Sequence, residues 1–298
     1  VLAGARRLLF GVLVGRVMRR MSPKIPRLIR QCCGSGLGPY VSKQICPNTG
    51  VHILTLEHAS GVQSWGTSLA EHRFFPGFVK DLEQHLEEST QAIKADLPQR
   101  PSCIVLKNAG KYWSNGYDLQ WMAAHPDQIQ GCLHQSEQLL AKVLTSPVPI
   151  VAALSGHATA LGMMMAMACD FRVMGERGLF STPAVDLNLS LSAGLVGLVK
   201  AKLPPHLQRD ILLYGKKFRS TELLRENVIS IRPNTRDEDE LLNACMAFVE
   251  AHVLPMKALT NPDALEATKK SLYADAFSAL SGSSGLDHAQ YRRLALTL

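Results

Sequence analysis

Pro149-Ile150-Val151-Ala152-Ala153-Leu154-Ser155-Gly156-His157-Ala158-Thr159-Ala160-Leu161-Gly162-Met163-Met164 is the stretch on which the fold turns. Pro149 to Leu154 is a short apolar run and reads as a strand. It breaks at Ser155-Gly156-His157 and leads into a helix of small residues ending near Cys169. A helix that opens on small residues leaves its first backbone N–H groups unpaired and open to an anion. Strand, tight loop and helix N-terminus together make a candidate oxyanion-binding unit.

A second unit of this kind lies upstream. Ser102 to Lys107 reads as a short buried strand, and the polar loop from Asn108 to Asp118 carries Tyr112-Trp113-Ser114-Asn115-Gly116-Tyr117-Asp118-Leu119. Two such loops facing each other can hold one oxyanion from two sides.

The flanking sequence repeats the strand-and-helix theme. Val51 to Leu56 alternates as a strand does, and residues 58–72 read as an inserted loop. From Pro76, residues Phe78, Val79, Leu82, Leu86 and Ile93 recur at helical spacing, as on an amphipathic helix. A helix is expected over 126–145, and Phe171 to Met174 and Gly178 to Phe180 read as strands. Beyond Pro204 the pattern turns helical, over 205–214, 220–226, 237–253 and 262–280. The fold class is therefore α/β, built from right-handed β-α-β units. We divide the chain into a basic leader (1–48), an α/β core (49–203) and a helical C-terminal region (204–298).

The net charge of +7 does not imply nucleic-acid binding, because it sits in one place. No acid precedes Glu57, while Arg6, Arg7, Arg16, Arg19, Arg20, Lys24, Arg27, Arg30 and Lys43 lie before it; the remainder carries about −2. An Arg-rich, acid-free leader suits an organelle transit segment, though Met21 is an alternative start. Its apolar run, Leu8 to Val14, is too short to span a bilayer. The final Ala295-Leu296-Thr297-Leu298 is not a Ser-Lys-Leu-type address. Cys32, Cys33, Cys46, Cys103, Cys132, Cys169 and Cys245 lack zinc spacing and read as free thiols.

Taken together, Glu71-His72-Arg73-Phe74, Ser114 to Leu119, Ser146 to Ala153, Gly156 to Gly162, Cys169-Asp170-Phe171 and the segment around Arg209-Asp210 resemble the enoyl-CoA hydratase/isomerase (crotonase) superfamily. The likeness is nearest to plant-type Δ3,Δ2-enoyl-CoA isomerases. The resemblance implies a β-β-α spiral core, with a helical C-terminal region that supports trimers in relatives, here a homotrimer or a mixed trimer. It implies an acyl-CoA thioester as substrate, coenzyme A being part of that substrate, with no separate cofactor. It also implies work in the β-oxidation of unsaturated fatty acids, in a peroxisome or mitochondrion.

Site residues follow from the same resemblance. The N–H groups of Tyr117 and Leu161 would form the oxyanion hole. Ser114, Asn115, Gly116, Asp118, His157, Gly162 and Met164 would line the acyl-CoA site, and Lys269 would meet a coenzyme A phosphate. The hydratase glutamate of the second loop's helix falls on Met164, which fits the isomerases, where that position is apolar. The isomerase glutamate, however, falls on Ala184, and that of a second isomerase branch falls near Ser192. Asp186 is the nearest substitute base. The expected function is a 3-ene to 2-trans-ene isomerase; the alternative is an acyl-CoA-binding homologue that has lost its catalyst at Ala184. Thioester hydrolysis is a third reading.

Other chemistries fare worse. Ser155, His157 and Asp170 could be imagined as a triad, but there is no Gly-x-Ser-x-Gly elbow. The methionines from Met163 to Met167 suit a helix packed against an acyl chain better than a soft-metal site. Histidines without paired ligand spacing imply no metal.

Overall fold

The computed structural model describes residues 40–57, 71–97, 99–108, 110–282 and 288–297. Most of the leader and the segment 58–70 lie outside the described residues. Strands β1 (Val41–Ile45) and β2 (His52–Leu56) form a hairpin and are followed by helix α1 (Pro76–Asp96). Then come β3 (Ile104–Asn108), β4 (Tyr112–Ser114), α2 (Leu119–Ala124) and α3 (Ile129–Leu144). The stretch quoted first becomes β5 (Ile150–Leu154), β6 (His157–Thr159) and α4 (Leu161–Ala168). After β7 (Phe171–Met174) and β8 (Leu179–Ser181) come α5 (Ala193–Lys202), α6 (Pro205–Leu213), the two-residue strand β9 (Phe218–Arg219) and α7 (Ser220–Arg225). The chain continues through α8 (Glu238–Phe248), α9 (Pro262–Leu272), α10 (Ala274–Ser281) and α11 (His288–Thr297).

Two sheets result, ordered β1-β2-β3-β5-β7 and β4-β6-β8-β9. All pairings are parallel except β1 with β2 and β8 with β9. Three times the chain leaves the larger sheet, crosses to the smaller one and then enters a helix, at β3-β4-α2, β5-β6-α4 and β7-β8-α5. This is the expected β-β-α spiral.

Parallel strands are covered on both faces, so their alternating side chains build two cores rather than one. Ile104, Leu106, Ile150, Ala152 and Leu154 face the main core with α1, α3 and α4. Val105, Val151, Ala153 and Val173 face the other way, onto Leu241, Cys245, Phe248 and Val249 of α8 and the turn after it. Every side chain of α4 from Leu161 to Ala168 is buried, which explains its four methionines as core residues. No helix among the described residues is long and apolar enough to cross a membrane.

Several elements differ from the sequence reading. Strand β1 falls inside the segment assigned to the leader; its Val41 is buried, and the Asp81 carboxylate holds the Tyr40 and Val41 N–H groups at 2.7 and 2.9 Å. The "loop" 108–118 contains β4, too short for alternation to show. The helix expected over 262–280 divides at Tyr273, and β9 returns from the helical region to pair with β8.

Candidate active site

The two glycine loops meet face to face. Residue Phe74 donates its N–H to the Gly116 carbonyl at 2.8 Å, and its own carbonyl accepts from the Asp118 N–H at 2.9 Å. This parallel bridge uses the peptide groups on either side of Tyr117, so the Tyr117 N–H points away from Phe74. Gly116 has φ +80°, and a Cβ built on it would stand 2.7 Å from the Ala160 Cβ and 3.2 Å from the Leu161 nitrogen. Leu161 opens α4, where the first N–H groups have no intrahelical acceptor. Neither the Tyr117 N–H nor the Leu161 N–H has a hydrogen-bond partner among the described residues. Two unused donors on touching loops, one at a helix N-terminus, can stabilise charge developing on a single oxygen.

Polar side chains hold the loops in place. Ser114 Oγ donates to the His72 carbonyl at 2.7 Å, and Asn115 Nδ2 donates to Glu71 Oε2 at 2.9 Å. Thr159 on β6 donates to Asn115 Oδ1, tying the first loop to the second. Asp118, expected to touch substrate, instead caps α2, accepting from the Gln120 and Trp121 N–H groups at 3.1 and 3.0 Å. Ala160 has φ 50° and ψ −123°, a strained conformation for a side-chain-bearing residue, and its N–H donates to the Ser181 carbonyl at 2.9 Å.

Residues 78–281 match the family described as Enoyl-CoA hydratase/isomerase. The chain belongs to this family. Enoyl-CoA delta isomerase 3 of Arabidopsis thaliana is 30% identical over 216 residues, which is 69% of this chain and 85% of that protein. Peroxisomal enoyl-CoA delta isomerase 2 of the same plant is 32% identical over 171 residues, 55% of this chain and 69% of the relative. The mitochondrial enoyl-CoA hydratase domain-containing protein 3 of Danio rerio is 28% identical over 192 residues, 63% of this chain and 65% of that protein. Among solved structures, human mitochondrial delta3-delta2-enoyl-CoA isomerase superposes with a TM-score of 0.66 at 16% identity, covering 86% of this chain and 90% of the other. An enoyl-CoA hydratase/isomerase family protein from Pseudomonas syringae gives 0.67 at 17% identity, covering 81% and 95%. Identities this low speak for the crotonase fold alone.

Within this family member the remaining predicted residues are not all brought together. Met164 is buried on α4, and Gly162 packs onto Ser114. The His157 ring lies edge-on to Tyr112 at 5.3 Å; burial, with help from Lys111 and Lys217, holds its pKa below the usual imidazole value. Ala184 is buried, whereas Asp186 is exposed and turns its carboxylate toward Gly215, its oxygens 3.7 and 3.8 Å from a Cβ built there. Residues 184–188 form a turn closed by the Leu187 N–H on the Pro183 carbonyl and the Leu189 N–H on the Ala184 carbonyl, and side chains two apart in such a turn point in different directions, so Asp186 is not placed as a substitute for the glutamate. Lys269 is also elsewhere: its ammonium is buried against Asp170 at 2.7 Å and the Ser146 carbonyl at 2.9 Å.

One acidic residue escaped the sequence reading. Glu137 on α3 is fully buried, and its Oε1 accepts a hydrogen bond from the Ser192 hydroxyl. It lies on the stripe of α3 that buries Leu133 and Leu140. An acid at a core position of an amphipathic helix was the signal available, and the expectation of a loop-borne base obscured it. Tyr117 and Tyr291 close over this region, their rings edge-to-face at 5.7 Å.

Proposed function

We propose that this chain binds an acyl-CoA thioester and stabilises its enolate between the Tyr117 and Leu161 N–H groups, acting as a Δ3,Δ2-enoyl-CoA isomerase on unsaturated fatty acyl chains. The observation that carries the reading is the pair of unused N–H donors on loops held in contact at Gly116. A preorganised donor of this kind contributes about 2.7–4 kcal/mol to an oxyanionic transition state. That curated relatives are enoyl-CoA delta isomerases supports the choice of isomerisation over hydration.

A second reading, an acyl-CoA-binding homologue without catalysis, is favoured by Ala184 standing where the family resemblance places a glutamate. Work in an organelle of fatty-acid β-oxidation, as a homotrimer or within a mixed trimer, belongs to the same proposal. The names of the peroxisomal and mitochondrial relatives support the location, and sedimentation tests the assembly.

The deciding experiment is a steady-state assay of the full chain with 3-cis-hexenoyl-CoA, paired with calorimetric titration of hexanoyl-CoA. Turnover to the 2-trans isomer supports the isomerase. Binding without turnover supports the second reading, and absence of binding removes both.

A further inference from the structure

Glu137 is placed where a structural carboxylate would be poorly served. No cation pairs with it among the described residues, and its Oε2 is buried without a hydrogen-bond partner. Ser192 caps α5 by accepting from the Leu195 N–H at 3.1 Å, so the proton of its hydroxyl is free to point at Glu137 Oε1. That hydrogen bond orients the carboxyl and leaves its second oxygen available. The Tyr117 hydroxyl is likewise buried without a partner among the described residues. Leaving a buried polar group unsatisfied costs about 1–3 kcal/mol, so each such group calls for an explanation, a catalytic role being one. Here two of them share one enclosed region, and one belongs to the residue whose N–H is the oxyanion donor.

We propose that Glu137 is the base of this enzyme, replacing the glutamate absent at Ala184, with Ser192 as its positioning residue. The assignment rests on the acyl-CoA reading above. Glu137 Oε2 takes a proton from C2 of a 3-enoyl thioester. The C2–H electron pair passes into the dienolate, whose charge rests on the thioester oxygen between the Tyr117 and Leu161 N–H groups. The protonated carboxyl then delivers that proton to C4, the C2–C3 double bond forms and the thioester carbonyl is restored. One proton is moved, and no water, oxidant or reductant is consumed.

The surroundings suit this task. The titratable groups facing Glu137 are Tyr117 from the first loop and Tyr291 from α11, phenols that burial holds above their ordinary value and so neutral near pH 7. Burial raises the Glu137 carboxyl above its ordinary value, the direction that makes a carboxylate a better base near neutrality, while the Ser192 hydrogen bond opposes the rise.

The test measures 3-cis-hexenoyl-CoA turnover and hexanoyl-CoA binding by the full chain and three variants. Glu137→Gln should keep its binding and lose about 10²–10⁴-fold in kcat. Adding Ala184→Glu to Glu137→Gln should restore part of that loss. Ser192→Ala removes the hydrogen bond that favours the charged carboxyl, so the acid limb of its kcat profile should move to higher pH. Unchanged kcat in Glu137→Gln overturns the proposal, as does a native chain that binds hexanoyl-CoA without turnover. If Glu137→Gln does not fold, an unshifted acid limb in Ser192→Ala overturns it instead. A native chain that does not bind hexanoyl-CoA refutes the acyl-CoA reading itself, and the base assignment falls with it.

Discussion

Gly162 lies against Ser114 with no room for a side chain between them: a Cβ on Gly162 would stand 2.5 Å from the Ser114 carbonyl oxygen and 2.6 Å from its Cβ. The contact presses the N-terminus of α4 onto the end of β4 and so sets the spacing between the Leu161 and Tyr117 N–H groups. Gly162→Ala must push the two loops apart. We expect a stability loss of about 1–3 kcal/mol from overpacking, read by urea unfolding. The drop in kcat/KM should be larger than partial unfolding explains. A folded Gly162→Ala protein with native kcat/KM would show that the spacing is set elsewhere.

Lys269 holds Asp170 in a largely buried pair across 99 residues of chain. Replacing it by methionine leaves the Asp170 carboxylate without its strongest partner. The expected cost is about 3 kcal/mol, the lower end for a broken buried pair because Asp170 keeps some exposure. The KM for an acyl-CoA should not change. A raised KM with native stability would return Lys269 to the phosphate-binding role suggested by sequence.

Ala160 carries positive φ at the N-cap of α4, where glycine would sit without strain. Ala160→Gly should therefore stabilise the fold by about 1 kcal/mol, offset in part by the greater freedom of glycine in the unfolded chain. Thermal unfolding checks this, and a lowered Tm would mean that the Ala160 methyl is needed against Gly116.

Glu137 should also make stability depend on pH. Its folded pKa is raised by burial, so the folded state holds the proton more tightly than the unfolded state. Its contribution is greatest below the ordinary glutamate pKa and declines as pH rises through the raised value. Glu137→Gln lacks this decline. The variant should gain on the native chain as pH increases across that window, in denaturant midpoints measured at several pH values. Parallel curves would mean that Glu137 titrates alike in both states.

Much of this molecule could be read from local pattern. The apolar run Ile150 to Leu154, the break at Gly156 and the small-residue helix after it marked a strand-turn-helix unit. The amphipathic spacing from Phe78 to Ile93 located α1. Strands β4, β6 and β9 were not found, because two or three residues show no period and such strands exist only through their partners.

The sequence by itself determined the fold class, the family likeness and the two loops that supply Tyr117 and Leu161, since each depends on neighbours within a few positions. It also determined that position 184 carries no base. What the acids and lysines meet was decided only by the tertiary structure. A side chain's direction is local, but what it meets comes from distant chain: Asp186 turns to Gly215, Lys269 to Asp170, and Glu137 to Ser192, 55 residues away, in a core that closes around it.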